Sequence, residues 1–307
     1  MAPTEEDKFA QAERLWASGH RKAAAQIHVQ LSRDAQNLEL RLQSVLVLVE
    51  RLNPAWDVDA IIEACTTGMT VAQKLGESQT RVYLMSMRAK NLAILNGSLI
   101  LARKNLKLAP GWLGFSLERD KQKYKELTAS IEANDEEIDR LARDVQKESS
   151  DKATLGHVLL SVANISVQRY LSLKCDCLRN VVPLPSFIRE KLRSYALDDF
   201  LWYSFSDRQA MRNHLQDCEC RYLEAVAAFR AAGDELNVAY AFYGLANDLR
   251  SANRFRKSVH YLKQAETIAR LHNDQVMLSR IPILKERIRQ RNRNVPDYVA
   301  GEGSTDE

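Results

Sequence analysis

Glycine and proline are scarce in this chain: its 307 residues contain 11 of the first and 7 of the second, roughly half of what average usage would supply. Long helices joined by short turns explain such economy. Long apolar runs are missing as well. The longest clean stretches, such as VLVLV at 45–49, fall far short of the roughly 20 residues that cross a bilayer. The opening MAPTEEDKF has neither the basic nor the apolar region of a secretory leader, so a soluble, cytoplasmic protein without a membrane partner is expected. Charge of one sign is absent too, because 44 basic and 40 acidic residues are well mixed and leave a formal charge of +4. That balance gives no bulk signal for nucleic acid or membrane.

Catalytic signatures are equally lacking. The sequence has no glycine-rich phosphate loop, no His-Glu-x-x-His and no Gly-x-Ser-x-Gly. Its six histidines are scattered, and HVQLSRD at 28–34 has a surface mix. The acidic groups DEE at 135–137 and LDD at 197–199 read as solvated faces or helix-start charges. No catalytic residue, metal or cofactor is therefore assigned, and the chain is not expected to be an enzyme.

With 45% hydrophobic residues, the chain can bury one extended or two compact cores. Pro54, the pair Pro110 and Gly111, and VVPLPS at 181–186 punctuate it into four blocks. Inside each block apolar residues recur three and four apart, as amphipathic helices require, and strict alternation is nowhere seen. The spacing predicts helices near 5–18, 20–35, 37–52, 56–75, 78–96, 98–108, 115–149, 152–178, 186–202, 206–232, 235–251, 254–271 and 274–291. Four regions are expected: a helical region over 1–109, a long heptad-patterned helix over 110–150, a second helical region over 151–295, and a disordered tail over 296–307.

The most specific pattern lies near the C-terminus. Val238, Phe242, Leu245 and Leu249 form one stripe, and Val259, Leu262, Ala265 and Ile268 the facing one. Ala246 and Ser258 are small where two helices would cross closely, and Phe255 follows the turn SAN. These residues resemble the tetratricopeptide repeat (TPR) family, whose 34-residue helix-turn-helix unit has large, small and aromatic residues at such offsets. Phe242 matches the first aromatic position, Leu245 and Ala246 the Leu-Gly pair, Leu249 the Tyr, Phe255 the post-turn aromatic, Ser258 the central Ala and Ala265 the last Ala. Asn253 replaces the turn glycine and Arg270 the terminal proline. Two weaker copies accompany it: Gly76, Ala89 and Leu92 parallel Gly233, Ala246 and Leu249, and Ala12, Leu15, Gly19 and Ala24 fall at repeat offsets. The expected fold is all-α, a solenoid of TPR-like antiparallel helix pairs with one long heptad-patterned helix in the middle.

In that middle block Leu117, Tyr124, Ile131, Ile138 and Val145 recur every seven residues, with Leu127 and Leu141 between them. Asp120, Asn134 and Glu148 interrupt the seam, so the helix either packs on one side or projects as an arm. The motifs KCDC at 174–177 and DCEC at 217–220 hold two thiol pairs, with His214 nearby. Residues two apart on a helix point about 200° from each other, which favours ordinary cysteines over a zinc site. KERIRQRNR at 285–293 and the basic stretch 21–42 keep a nucleic-acid-binding or transcription-regulatory function open as the alternative. GWLGF at 111–115 and FLWYSF at 200–205 are aromatic clusters that fill cores or form a contact patch.

The TPR resemblance implies a protein-binding scaffold or adaptor that holds a peptide or partner protein in a groove. By analogy at the level of fold, it would be a regulatory subunit of a bacterial complex. The groove positions carried over from the family are Tyr240, Tyr243, Asn247 and Arg250 in the best copy, and Tyr83, Ser86 and Lys90 in the second.

Overall fold

The computed structural model describes residues 3–104, 106, 118–179 and 205–292, and among these every regular element is an α-helix. Two compact units form, neither contiguous in sequence: one from residues up to 98 together with 132–161, the other from 99–131 and from 162 onward.

In the first unit, α1 (Glu5–Ala17), α2 (Arg21–Asp34), α3 (Leu38–Arg51) and α4 (Val58–Leu75) pack each against the next. Thr4 starts α1 with a capping box: its hydroxyl accepts from the Asp7 amide while the Asp7 carboxylate accepts from the Thr4 amide. Asn37 caps α3 by accepting from the amides of Glu39 and Leu40. The core gathers Val45, Leu48, Ile61, Ala64, Cys65, Val71 and, from α5 (Ser78–Lys104), Leu84. Gly68 lies in the middle of α4, where a Cβ would sit 2.5 Å from Val45 Cγ1 and 2.8 Å from Leu84 Cδ1. This close approach is what reserves the position for glycine.

Helix α5 is a single element where two, 78–96 and 98–108, were expected. Gly97 weakens a helix but does not end one. Its neighbour Asn96 is fully buried, donating from Nδ2 to Asp135 Oδ1 at 2.7 Å and accepting at Oδ1 from Asn134 Nδ2 at 2.8 Å. Both partners belong to α6 (Glu118–Glu148), and they hold α5 in register through the glycine. The pairs Arg81–Glu148 and Arg88–Glu137 set the same two helices antiparallel. Ile138, Leu141 and Val145, from the heptad seam, are buried, so this part of α6 is packed on one side. Asp135 also corrects the reading of DEE as a solvated face, because it is buried against Asn96.

The second unit contains the rest of α5 and α6, most of α7 (Lys152–Arg179), and then α8 (Phe205–Ala231), α9 (Glu235–Ser251), α10 (Phe255–Leu271) and α11 (Gln275–Asn292). The last four pack in sequence, and α9 also touches α11. That is a solenoid-like order, with starts twenty residues apart at Glu235, Phe255 and Gln275. Where α9 and α10 cross, Ala246 and Ser258 are both fully buried, and the Ser258 hydroxyl donates to the Ala246 carbonyl at 2.6 Å.

One turn design closes helices in both units. Gly19, Gly76, Gly233, Asn253 and Asn273 all have positive φ, between 54° and 84°. In each case the following amide reaches back five residues: His20 to Leu15, Glu77 to Ala72, Asp234 to Phe229, Arg254 to Leu249, and Asp274 to Ala269. This Schellman arrangement satisfies orphan carbonyls at a helix end and needs a residue that tolerates the left-handed region. Asparagine in place of the turn glycine therefore preserves the turn. The expected helix 186–202, the aromatic clusters at 111–115 and 200–204, and the tail 296–307 lie outside the described residues.

Candidate functional site

Tyr240, Tyr243, Asn247 and Arg250 lie along one stripe of α9, spaced three and four apart, and all four are half-buried. The two tyrosines pack against the cluster built from Phe255, Leu262, Met277 and Ile281. Both rings thus rest on the core shared by α9, α10 and α11 while keeping part of their surface exposed. Asn247 Oδ1 accepts from Arg250 Nη2 at 3.2 Å, and the same nitrogen donates to Ser251 Oγ at 3.2 Å.

Behind this stripe sits a polar pair that sequence reasoning missed. Tyr222, on α8, is buried and donates its hydroxyl to Asp248 Oδ2 at 2.8 Å. Burial pushes the Asp248 carboxyl up to about 6, against the downward pull of the Tyr222 hydroxyl, the Arg250 charge and a hydrogen bond with Asn247. The Tyr222 phenol is driven well up, first by burial and then by the Asp248 charge. Gly244 makes the pair possible, since a Cβ there would meet the Tyr222 hydroxyl at 3.0 Å. A glycine inside an otherwise good helix was the available signal of a close approach. The Asn247 amide and the Arg250 charge both favour the ionised form of the Asp248 carboxyl, and Arg250 and Asn247 are hydrogen-bonded to each other.

The second expected set is less open. Tyr83 is half-buried against the α3–α4 core, its phenol pushed up by burial and then by the charges of Glu50 and Cys65. Ser86 is buried, only 6% exposed, so it offers no lining surface. Lys90 is exposed.

Other sequence features resolve individually. Cys218 is fully buried while Cys220, two residues on, is exposed, as helical geometry demands. The side chains of Cys175 and Cys177 lie outside the described residues, and among the described residues no cluster could hold a metal ion. In the basic segments, Arg33 pairs with Glu63, Arg41 Nε donates to the Ser32 carbonyl at 2.6 Å, and Lys285 pairs with Glu266. Arg287 and Arg289 are exposed around the buried Ile288; Arg293 lies outside the described residues. His28 corrects the surface reading of its segment, being fully buried. An open groove of about 260 Å³ in the first unit is lined by Arg41, Thr66, Thr67, Thr70, Val71 and Lys74. It contains none of the expected groove residues, and the Thr66 and Thr70 hydroxyls are committed to backbone carbonyls of their own helix.

Among the described residues, no helix is long and apolar enough to cross a membrane. No family model matches the chain, and no curated protein matches it. Among solved structures, a chain described under computational design of self-assembling cyclic protein homo-oligomers aligns over 95% of this chain and 96% of its own length, at 12% identity and a TM-score of 0.26. A likeness that loose carries no argument about fold, assembly or function.

Proposed function

We propose that this protein is a non-enzymatic, TPR-like binding scaffold, working in the cytoplasm as an adaptor or regulatory subunit and holding a peptide or partner protein on the α9 face. The observation that supports this reading best is the α9 stripe. Tyr240 and Tyr243 pack on a core, and beside them Arg250 Nη2 donates to Asn247 Oδ1. Rigid tyrosine area with adjacent oriented amide and guanidinium donors is what recognition of a polypeptide needs, because little side-chain freedom is lost on binding. The guanidinium suits a carboxylate or backbone carbonyl, and the Asn247 amide suits a peptide backbone.

The test begins with affinity purification of the tagged protein from its host, with and without nuclease, and identification of the co-purifying polypeptide. Calorimetry then compares its binding to the wild type and to Asn247→Ala/Arg250→Ala, with helicity checked by circular dichroism. We expect binding to weaken at least about tenfold, the usual cost of losing a charge-assisted contact. Equal affinity in a folded variant would eliminate this face, and loss of every partner on nuclease treatment would move attention to the basic segments.

A further inference from the structure

His28 is the one histidine that the first unit buries completely. It sits on α2 beneath α1, with the Phe9 ring edge-on at 5.1 Å and the Trp16 ring at 6.3 Å. Its Nε2 lies 3.3 Å from Glu13 Oε1 but out of line for a good hydrogen bond, and its Nδ1 has no partner. The carboxylate that could compensate a charged ring is already engaged. Arg51, from α3, holds Glu13 through three contacts of 3.0–3.1 Å, and its guanidinium lies 5.5 Å from the centre of the Trp16 ring. The charged groups facing the imidazole are therefore Glu13 from α1 and Arg51 from α3. Farther away, Arg33 of α2 is paired with Glu63 of α4, and Glu5 at the start of α1 accepts from the amides of Gln36 and Asn37.

A proton on this ring would be costly. It would place a second cation beside Arg51, in a site walled by two aromatic rings, with one carboxylate to share. The cost disappears if α1 lifts away and lets water reach the ring. Helix α1 is the element best able to do so: Ala12 is its only fully buried residue, whereas α3 and α4 bury six each. Elements with few buried contacts open at low free energy.

We infer that His28 makes the docking of α1 onto α2 and α3 proton-gated, so that mild acid opens the N-terminal helix while the rest of the unit stays folded. Burial lowers the affinity of the ring for a proton, more than Glu13 raises it. The sign follows. A histidine whose folded value is depressed contributes stability that is complete above its ordinary value near 6.5 and is lost as the pH falls from there toward the folded value. One proton links closed to open, so the opening constant rises by at most about tenfold per pH unit within that window.

Hydrogen exchange of the full chain between pH 7.5 and 5.5, normalised for the intrinsic chemistry, reads this directly. The α1 amides should lose protection by severalfold on acidification, approaching but not exceeding about tenfold per unit, while α10 amides stay level. In His28→Leu the α1 protection should become flat across the range. If leucine disturbs the packing, His28→Gln keeps a polar side chain without a titrating nitrogen and should flatten it as well. Constant α1 protection in the wild type would overturn the inference, and so would an equal acid-induced loss in both variants.

Discussion

Gly68→Ala is the sharpest test of how the first core is assembled. Alanine favours an exposed helix interior over glycine by about 1 kcal/mol, so on propensity alone the change should stabilise α4. The structure says otherwise. The new methyl would lie 2.5 Å from Val45 Cγ1 and 2.8 Å from Leu84 Cδ1, and both neighbours are fully buried. Leu84 offers the end of a flexible chain, but Val45 is β-branched and effectively confined to one rotamer in its helix. Relief must then come from moving α3 against α4. Overpacking of this kind costs about 1–3 kcal/mol, so after the propensity gain a net loss of up to about 2 kcal/mol is expected. Val45→Ala alone leaves a cavity and should cost about 2 kcal/mol. Combined, the methyl added at Gly68 occupies space vacated at Val45, and the double variant should be at least about 1 kcal/mol better than the sum of the singles. Urea unfolding followed by far-ultraviolet circular dichroism and tryptophan emission measures all three variants. Gly68→Ala more stable than wild type by the full propensity gain of about 1 kcal/mol, or strict additivity in the double variant, would refute the claim that α3, α4 and α5 touch through this glycine.

Two further predictions address the second unit. At Asn273, φ is 54° and the side chain is exposed, so Asn273→Ala should cost about 1 kcal/mol while Asn273→Gly changes stability by only a few tenths; equal midpoints for the two in urea would refute the turn argument. At Asp248, the raised carboxyl means that the folded state holds its proton more tightly than the unfolded chain, so this group contributes most stability below about pH 4 and loses it as the pH rises through about 6. Asp248→Asn, which can still accept from Tyr222, should therefore gain on wild type as the pH rises from 4 to 7.5, and a thermal-melting difference independent of pH would contradict the assignment.

The parts of the fold that were legible in the sequence are those governed by local rules. Gly76 and Gly233 marked helix ends because a left-handed residue is needed there, and Ala246 with Ser258 marked a helix crossing because only small side chains fit. What escaped depended on partners distant in sequence. Gly97 looks like a break until Asn96 is seen bonded to Asn134 and Asp135, some forty residues away. His28 and Asp135 look like surface residues because their types usually are; a single sequence does not show that Phe9, Trp16 or Asn96 lies over them. In the candidate site, the α9 spacing placed four residues on one stripe. The Tyr222–Asp248 hydrogen bond beside them required knowing how α8 meets α9.

The repeated turn has a consequence for how such a chain can change length. Asn253 and Asn273 close their helices with the same backbone conformation as Gly233, and the segment between successive turns is one helix with matching ends. A stretch cut at Gly233 and Asn273 is therefore a cassette whose two joints are interchangeable. Copying or excising it would leave every junction chemically intact, and the array could be extended or shortened by whole helix pairs without inventing a new loop.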